Sequence, residues 1–172
     1  VEATHIYDPD RYLRFQLFDR DGNPVGSAQT VASGMLSVFW WGGDVSRNNQ
    51  GEFAISWSMG SDVGINVWVR RYSADGSSQG EAYMVHDSLT GVNFEYSQVG
   101  LSDGGDVVVT WRDGFETTKI YPRFQAFNAL NQSILPWEPK GHRIDDGDVV
   151  YNGSMSQPHW LDEDRFVIFW VG

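Results

Sequence analysis

Large apolar side chains alternate with polar or smaller ones along most of the chain, and no stretch carries the recurrence of an amphipathic helix. Three stretches show the alternation best: Gly51-Glu52-Phe53-Ala54-Ile55-Ser56-Trp57, Gly105-Asp106-Val107-Val108-Val109-Thr110-Trp111 and Asp164-Arg165-Phe166-Val167-Ile168-Phe169-Trp170. A strand turns successive side chains to opposite faces. Phe53, Ile55 and Trp57 therefore share one face, as do Val107, Val109 and Trp111, and Phe166, Ile168 and Trp170. The other face also carries Val108, Val167 and Phe169, which predicts strands covered on both sides. A looser strand is expected ahead of each, at Ser37 to Trp41, Ser97 to Leu101 and Ser156 to Leu161. The stretch Gly42 to Gln50 then reads as an inserted loop.

A second trio aligns as well: Arg14 to Gly22, Trp68 to Gly76 and Arg123 to Asn131. Phe18, Tyr72 and Phe127 correspond, and so do Gly22, Gly76 and Asn131. Glycine and asparagine tolerate the positive φ of a tight turn, so this set marks a hairpin in each copy. Val31, Val85 and Ile144 mark a further strand. Trp57 and Trp111 lie 54 positions apart and Trp111 and Trp170 lie 59 apart, the difference falling in the loop around Leu135-Pro136-Trp137-Glu138-Pro139. The pattern predicts an all-β chain forming one domain over residues 1–172. It would hold three repeats of four short strands, at about 12–57, 66–111 and 121–170.

Four-stranded meanders in series suggest blades of a β-propeller, which needs about four to eight of them. Three blades would be half of a six-bladed ring closed by a homodimer. The sequence opens on the third strand of one unit, Tyr12 to Asp19, and finishes on the second strand of another, Asp164 to Trp170. Pairing those two would leave no raw sheet edge. A threefold monomer, either a β-trefoil or a β-prism, fits the same pattern.

The 172 residues carry a formal charge of -11, which sets nucleic acid and anionic membrane aside as main partners. Cysteine is absent, so disulfides and thiolate metal sites are excluded. No apolar run reaches the ~18 residues of a membrane-spanning helix. The sequence starts at Val1 without methionine, and a secreted or extracellular location is expected.

Gly104 to Trp111, Arg123-Phe124-Gln125-Ala126-Phe127 and Asp19-Arg20-Asp21-Gly22-Asn23-Pro24-Val25-Gly26 together carry a family resemblance. Across nearly the whole chain they resemble repeats of bacterial secreted calcium-dependent (RTX-type) adhesins and related β-propeller repeat proteins. The resemblance implies a repeat domain displayed outside the cell. No nonapeptide calcium-repeat array accompanies it.

The in-register tryptophans are expected in the core. Trp40, Trp41, Trp68, Trp137 and Trp160 fall outside the register and are candidates for stacking on sugar rings, with Arg70, Asp113 and His159 to bond hydroxyls. Function is expected where the copies disagree: Gly42 to Gln50, the Trp137 loop and these unmatched aromatics. Asp19, Asp21 and Asn23 have the spacing that opens a calcium loop, yet no glutamate follows at its close, so a plain turn is the simpler reading. Asp162-Glu163-Asp164 reads the same way. No cofactor is required, calcium being the one ion these turns could take. The four histidines lack metal-ligand spacing, no nucleophile elbow or phosphate loop is present, and nothing selects a carboxylate pair. The expected function is non-enzymatic, lectin-like binding of a carbohydrate or glycoconjugate, multivalent through the repeats, by a homo-oligomer. A structural or protein-binding module of a surface adhesin is the alternative, and a propeller-type glycoside hydrolase the third.

Overall fold

The computed structural model describes residues 12–34, 43–61, 64–87, 92–113, 121–144 and 156–170. These residues form twelve strands and no helix: β1 (Tyr12–Phe18), β2 (Pro24–Ser33), β3 (Asp44–Arg47), β4 (Phe53–Ser61), β5 (Gly64–Tyr72), β6 (Tyr83–Met84), β7 (Val92–Leu101), β8 (Val107–Asp113), β9 (Tyr121–Phe127), β10 (His142–Arg143), β11 (Gln157–Trp160) and β12 (Phe166–Phe169). β3 to β6 make one antiparallel meander and β7 to β10 a second. A short parallel pairing of Gly64 and Ile65 with Val92 and Asn93 joins them into an eight-stranded sheet. β1–β2 and β11–β12 stand as separate two-stranded ribbons, and no sheet closes into a trefoil-type barrel.

The turn chemistry of the sequence is carried out at three places in the same way. Gly22, Gly76 and Asn131 have φ of 83°, 87° and 62°. Each donates its backbone N–H to the carbonyl three residues earlier, on Asp19, Ser73 and Asn128. Those three residues in turn donate to the carbonyls of Asn23, Ser77 and Gln132. Asn131 thus does the work of glycine, its short polar side chain tolerating the left-handed region.

Two apolar clusters result. Ala54, Val67 and Val69 of the first meander pack on Phe94, Val99, Leu101, Val107, Val109 and Trp111 of the second. Every residue of β8 is buried, which explains why both of its faces are apolar over Val107, Val108 and Val109. Each such side chain taken out of water stabilises the fold by roughly 1.5–3 kcal/mol. On the other flank, Phe53, Ile55, Trp57 and Tyr72 pack against Val31, Leu13, Phe15 and Leu17 of the β1–β2 ribbon. Phe15 stands edge-on to Phe53 and Tyr72, with ring centroids 5.2 and 5.0 Å away.

Two expectations are corrected. Gly42 to Gln50 is not a loop throughout, because β3 occupies Asp44–Arg47; the strand expected at Ser37 to Trp41 lies outside the described residues. β3 has no apolar alternation to reveal it, and Val45 points to solvent. Besides its ladder with β4, polar side chains fix it: Asp44 Oδ2 accepts from Val99 N at 3.0 Å and Ser46 Oγ from Leu101 N at 3.2 Å. The second correction concerns the third tryptophan. Trp57 and Trp111 are 2% and 1% exposed, but Trp170 is 41% exposed, and Val167 and Phe169 on the opposite face are 43% and 64% exposed. Among the described residues β12 has a strand on one side only, so its faces are not enclosed as those of β4 and β8 are.

Candidate functional site

The inner hairpins of the two meanders and of the β11–β12 ribbon turn at one end of the sheets. Asn48 N donates to Glu52 O, Ser102 N to Asp106 O and Leu161 N to Arg165 O, closing three turns of like build. They border a shared hollow of about 360 Å³ whose wall includes Arg47, Asn49, Asp103, Trp160, Asp162 and Glu163.

The wall is held by bonds between successive turns. Asp103 accepts the Asn49 backbone N–H on Oδ1 at 2.8 Å and the Asn49 side-chain amide on Oδ2 at 2.7 Å. The Asn49 backbone bond, then its side-chain amide, hold the Asp103 carboxyl below its ordinary value of 3.8. Asn48 Oδ1 accepts from Gln50 N and Glu52 N, while its Nδ2 donates to Glu52 Oε2 at 2.9 Å. Trp160 is half-buried and donates Nε1–H to Gly100 O at 3.3 Å, which pins the indole against β7. Its ring meets Phe166 edge-on at 5.2 Å. Asp162 accepts from Arg165 Nε at 2.8 Å, and that pairing depresses its pKa. Glu163 and Arg47 are exposed at the rim.

The hollow thus presents one aromatic surface, two amides, three carboxylates and one guanidinium. Such a set can stack on an apolar ring face while hydroxyls around the ring donate to carboxylates and accept from the guanidinium. The excess of carboxylates disfavours an anionic ligand.

Of the sugar contacts expected from sequence, Trp160 is the one among the described residues that lies on this wall. His159 is exposed on β11 opposite Val167. Trp68 packs across from Trp57 and joins the cluster beneath β1–β2, its Nε1 buried without an acceptor among the described residues. Arg70 donates Nε–H to Gly80 O at 2.9 Å and lies 3.9 Å from Glu81. Asp113 is buried at the far end of β8, paired with Arg123 at 2.8 Å and 4.0 Å from Lys140. Trp137 is exposed, its ring 6.4 Å from Phe127. Trp40 and Trp41 lie outside the described residues. Asp19 spends its carboxylate within its own turn, on Asn23 Nδ2 and on the amides of Asn23 and Asp21, and Asn23 is foremost in lowering its pKa. No group of three or more histidines and carboxylates arranged for a metal occurs among the described residues.

Arg47 and Asn49 fall within Gly42 to Gln50, where function is expected, and Asp162 and Glu163 in the acidic turn weighed as an ion site; the wall residue missed from sequence is Asp103. A signal existed: Asn49 and Asp103 are 54 positions apart, the spacing of Trp57 and Trp111.

The described residues contain no helix long and apolar enough to cross a membrane. What the fold and the hollow define is an all-β protein of serial antiparallel meanders with a polar, aromatic-walled recess at one end. Comparison with protein-family models, with curated proteins and with solved structures found no match.

Proposed function

We propose that this chain is a non-enzymatic carbohydrate-binding module, acting outside the cell, whose site is the hollow beside Trp160. The observation that carries the reading is the position of a pinned, half-buried indole among Arg47, Asn49, Asp103, Asp162 and Glu163. A neutral sugar suits this set better than a sialylated or uronic one, since carboxylates outnumber the cation. The architecture that accompanies the reading is three propeller-like repeats, with β11–β12 and β1–β2 each half of a unit equivalent to the two complete meanders. In a ring of such units the hollow recurs between inner turns, and weak single sites gain avidity by being displayed together.

A glycan array read with and without calcium, followed by calorimetry on the hits, tests the function. Neutral glycans should bind, and Trp160→Ala should weaken them at least tenfold without unfolding the protein. A blank array would remove the sugar reading and leave the alternative, a structural or protein-binding module of a surface adhesin. The exposed ribbon edges favour that second reading.

A further inference from the structure

The two ribbons are complementary halves. In the first meander β4 pairs with β5 so that Phe53 opposes Tyr72 and Trp57 opposes Trp68. In the second, β8 pairs with β9 so that Val107 opposes Phe127, Val109 opposes Gln125 and Trp111 opposes Arg123. β12 matches β4 and β8 in sequence and follows the same kind of inner turn. β1 matches β5 and β9 and precedes the same kind of outer turn. Yet among the described residues β12 pairs with β11 alone and β1 with β2 alone. Each lacks the neighbour that the other represents.

From this geometry we infer that β12 of one copy pairs antiparallel with β1 of a second copy, with Phe166 opposite Phe18, Ile168 opposite Gln16 and Trp170 opposite Arg14. The inference rests on the repeat reading above and not on the sugar reading. The residue pairs support the register, because Ile168–Gln16 and Trp170–Arg14 reproduce Val109–Gln125 and Trp111–Arg123 of the second meander.

Packing supports it independently. Beside β1 lies a cavity of about 430 Å³ lined by Leu13, Phe15, Leu17, Val45, Phe53 and Ile55. Where the two meanders meet, the wall equivalent to β1 is Val67 and Val69, and the strand next to it adds Ala54 from the same face. The position of Ala54 is that of Val167 on β12, and two residues on stands Phe169. Val167 and Phe169 are the exposed apolar side chains of β12, and the inferred pairing turns them into the cavity. Among the described residues the two ribbons are anchored on different meanders. β1–β2 is anchored on β4 and β5, whereas β11 is anchored on the far meander through Trp160 to Gly100 and Thr110 Oγ1 to Ser156 O.

The chain has no cysteine, so introduced thiols report cleanly. Copies carrying only Phe18→Cys are mixed with copies carrying only Phe166→Cys, and likewise Leu17→Cys with Val167→Cys. Adjacent antiparallel pairs alternate between wide and close approach, so one of the two mixtures should form a disulfide on oxidation. Sedimentation of the parent should give twice the 19.4 kDa of one chain, and Phe169→Asp should return it to one chain while circular dichroism stays β-type. A parent that sediments as more than two chains, with the thiols still joining in one mixture, would uphold the strand pairing and refute the six-unit ring. A parent that stays monomeric up to millimolar concentration, or thiols that join in neither mixture, would overturn the inference. So would a disulfide that forms only when both cysteines sit in one chain.

Discussion

Asn49 and Asp103 meet through two hydrogen bonds, backbone N–H to Oδ1 at 2.8 Å and amide Nδ2 to Oδ2 at 2.7 Å. One comes from the inner turn of the first meander and the other from the inner turn of the second, so the pair ties two units together at the wall of the hollow. Asp103→Ala should loosen that wall and weaken sugar binding, with the fold retained. The carboxyl sits below its ordinary value of 3.8, chiefly through the Asn49 backbone bond. A depressed carboxyl favours the folded state above that ordinary value, and the contribution is lost as pH falls through the lower folded value. An NMR titration should show the Asp103 carboxyl responding later, on acidification, than a free aspartate. A midpoint at or above 3.8 would contradict the two bonds.

His86 gives a second pH dependence, of larger reach because the ring is buried. Its Nε2 accepts the Val67 N–H at 3.0 Å and its Nδ1 faces Asp87 O at 2.7 Å, which fixes a neutral ring with the proton on Nδ1. Phe94 lies against it, ring centroids 4.1 Å apart. Desolvation pushes the imidazole below its ordinary 6.5 against the opposing pull of Asp87. The unfolded chain therefore binds the proton more readily. Stability should be full above about pH 6.5 and decline below it until the folded value is passed. Thermal melts from pH 8 to 5 should show the decline, and His86→Gln, which can still accept from Val67, should flatten it.

Glu95 and Arg112 form a buried ion pair at 3.0 Å, with the guanidinium 3.6 Å above the Tyr96 ring. Tyr96 itself has φ of 57° at the register shift of β7, which lets Glu95 and the following strand both meet β8. Removing one member of such a pair leaves a charge stranded in the interior and costs about 3–5 kcal/mol. Arg112→Met should lower stability by that order in urea melts, and Glu95→Gln combined with Arg112→Met should recover part of the loss. No recovery in the double variant would mean the damage is loss of packing, not charge.

Gly141 has φ of +77°, and a Cβ there would strike the Trp111 ring and come within 3.0 Å of Phe124 O. Gly141→Ala should destabilise by about 2–4 kcal/mol, from overpacking and the left-handed backbone together. The denaturant midpoint should fall with the slope unchanged, and Trp111 emission should shift. A variant as stable as the parent would show that the loop can move away at no cost.

Much of the fold was legible because period-two alternation and turn residues are local properties. Phe53-Ala54-Ile55-Ser56-Trp57 and Val107 to Trp111 announce strands in any context, and Gly22, Gly76 and Asn131 announce turns that close alike. β3 was hidden because Asp44 and Ser46 are held by hydrogen bonds to another unit's backbone, an interaction that leaves no apolar signature. The hollow was hidden for a related reason. Of the sugar contacts expected from sequence only Trp160, among the described residues, reaches it, since the side chains of an inner turn acquire meaning only when three turns are brought to one place.

The sequence by itself determined the strand faces, the turns and the 54-residue interval, all of which follow from backbone geometry acting over a few residues. Only the tertiary structure decided which tryptophans are enclosed. Trp57 and Trp111 are buried because β5 and β9 lie beside their strands, and Trp170 remains 41% exposed because, among the described residues, no third strand flanks β12. Burial is a property of neighbours, and neighbours 54 residues away are set by the packing of whole sheets.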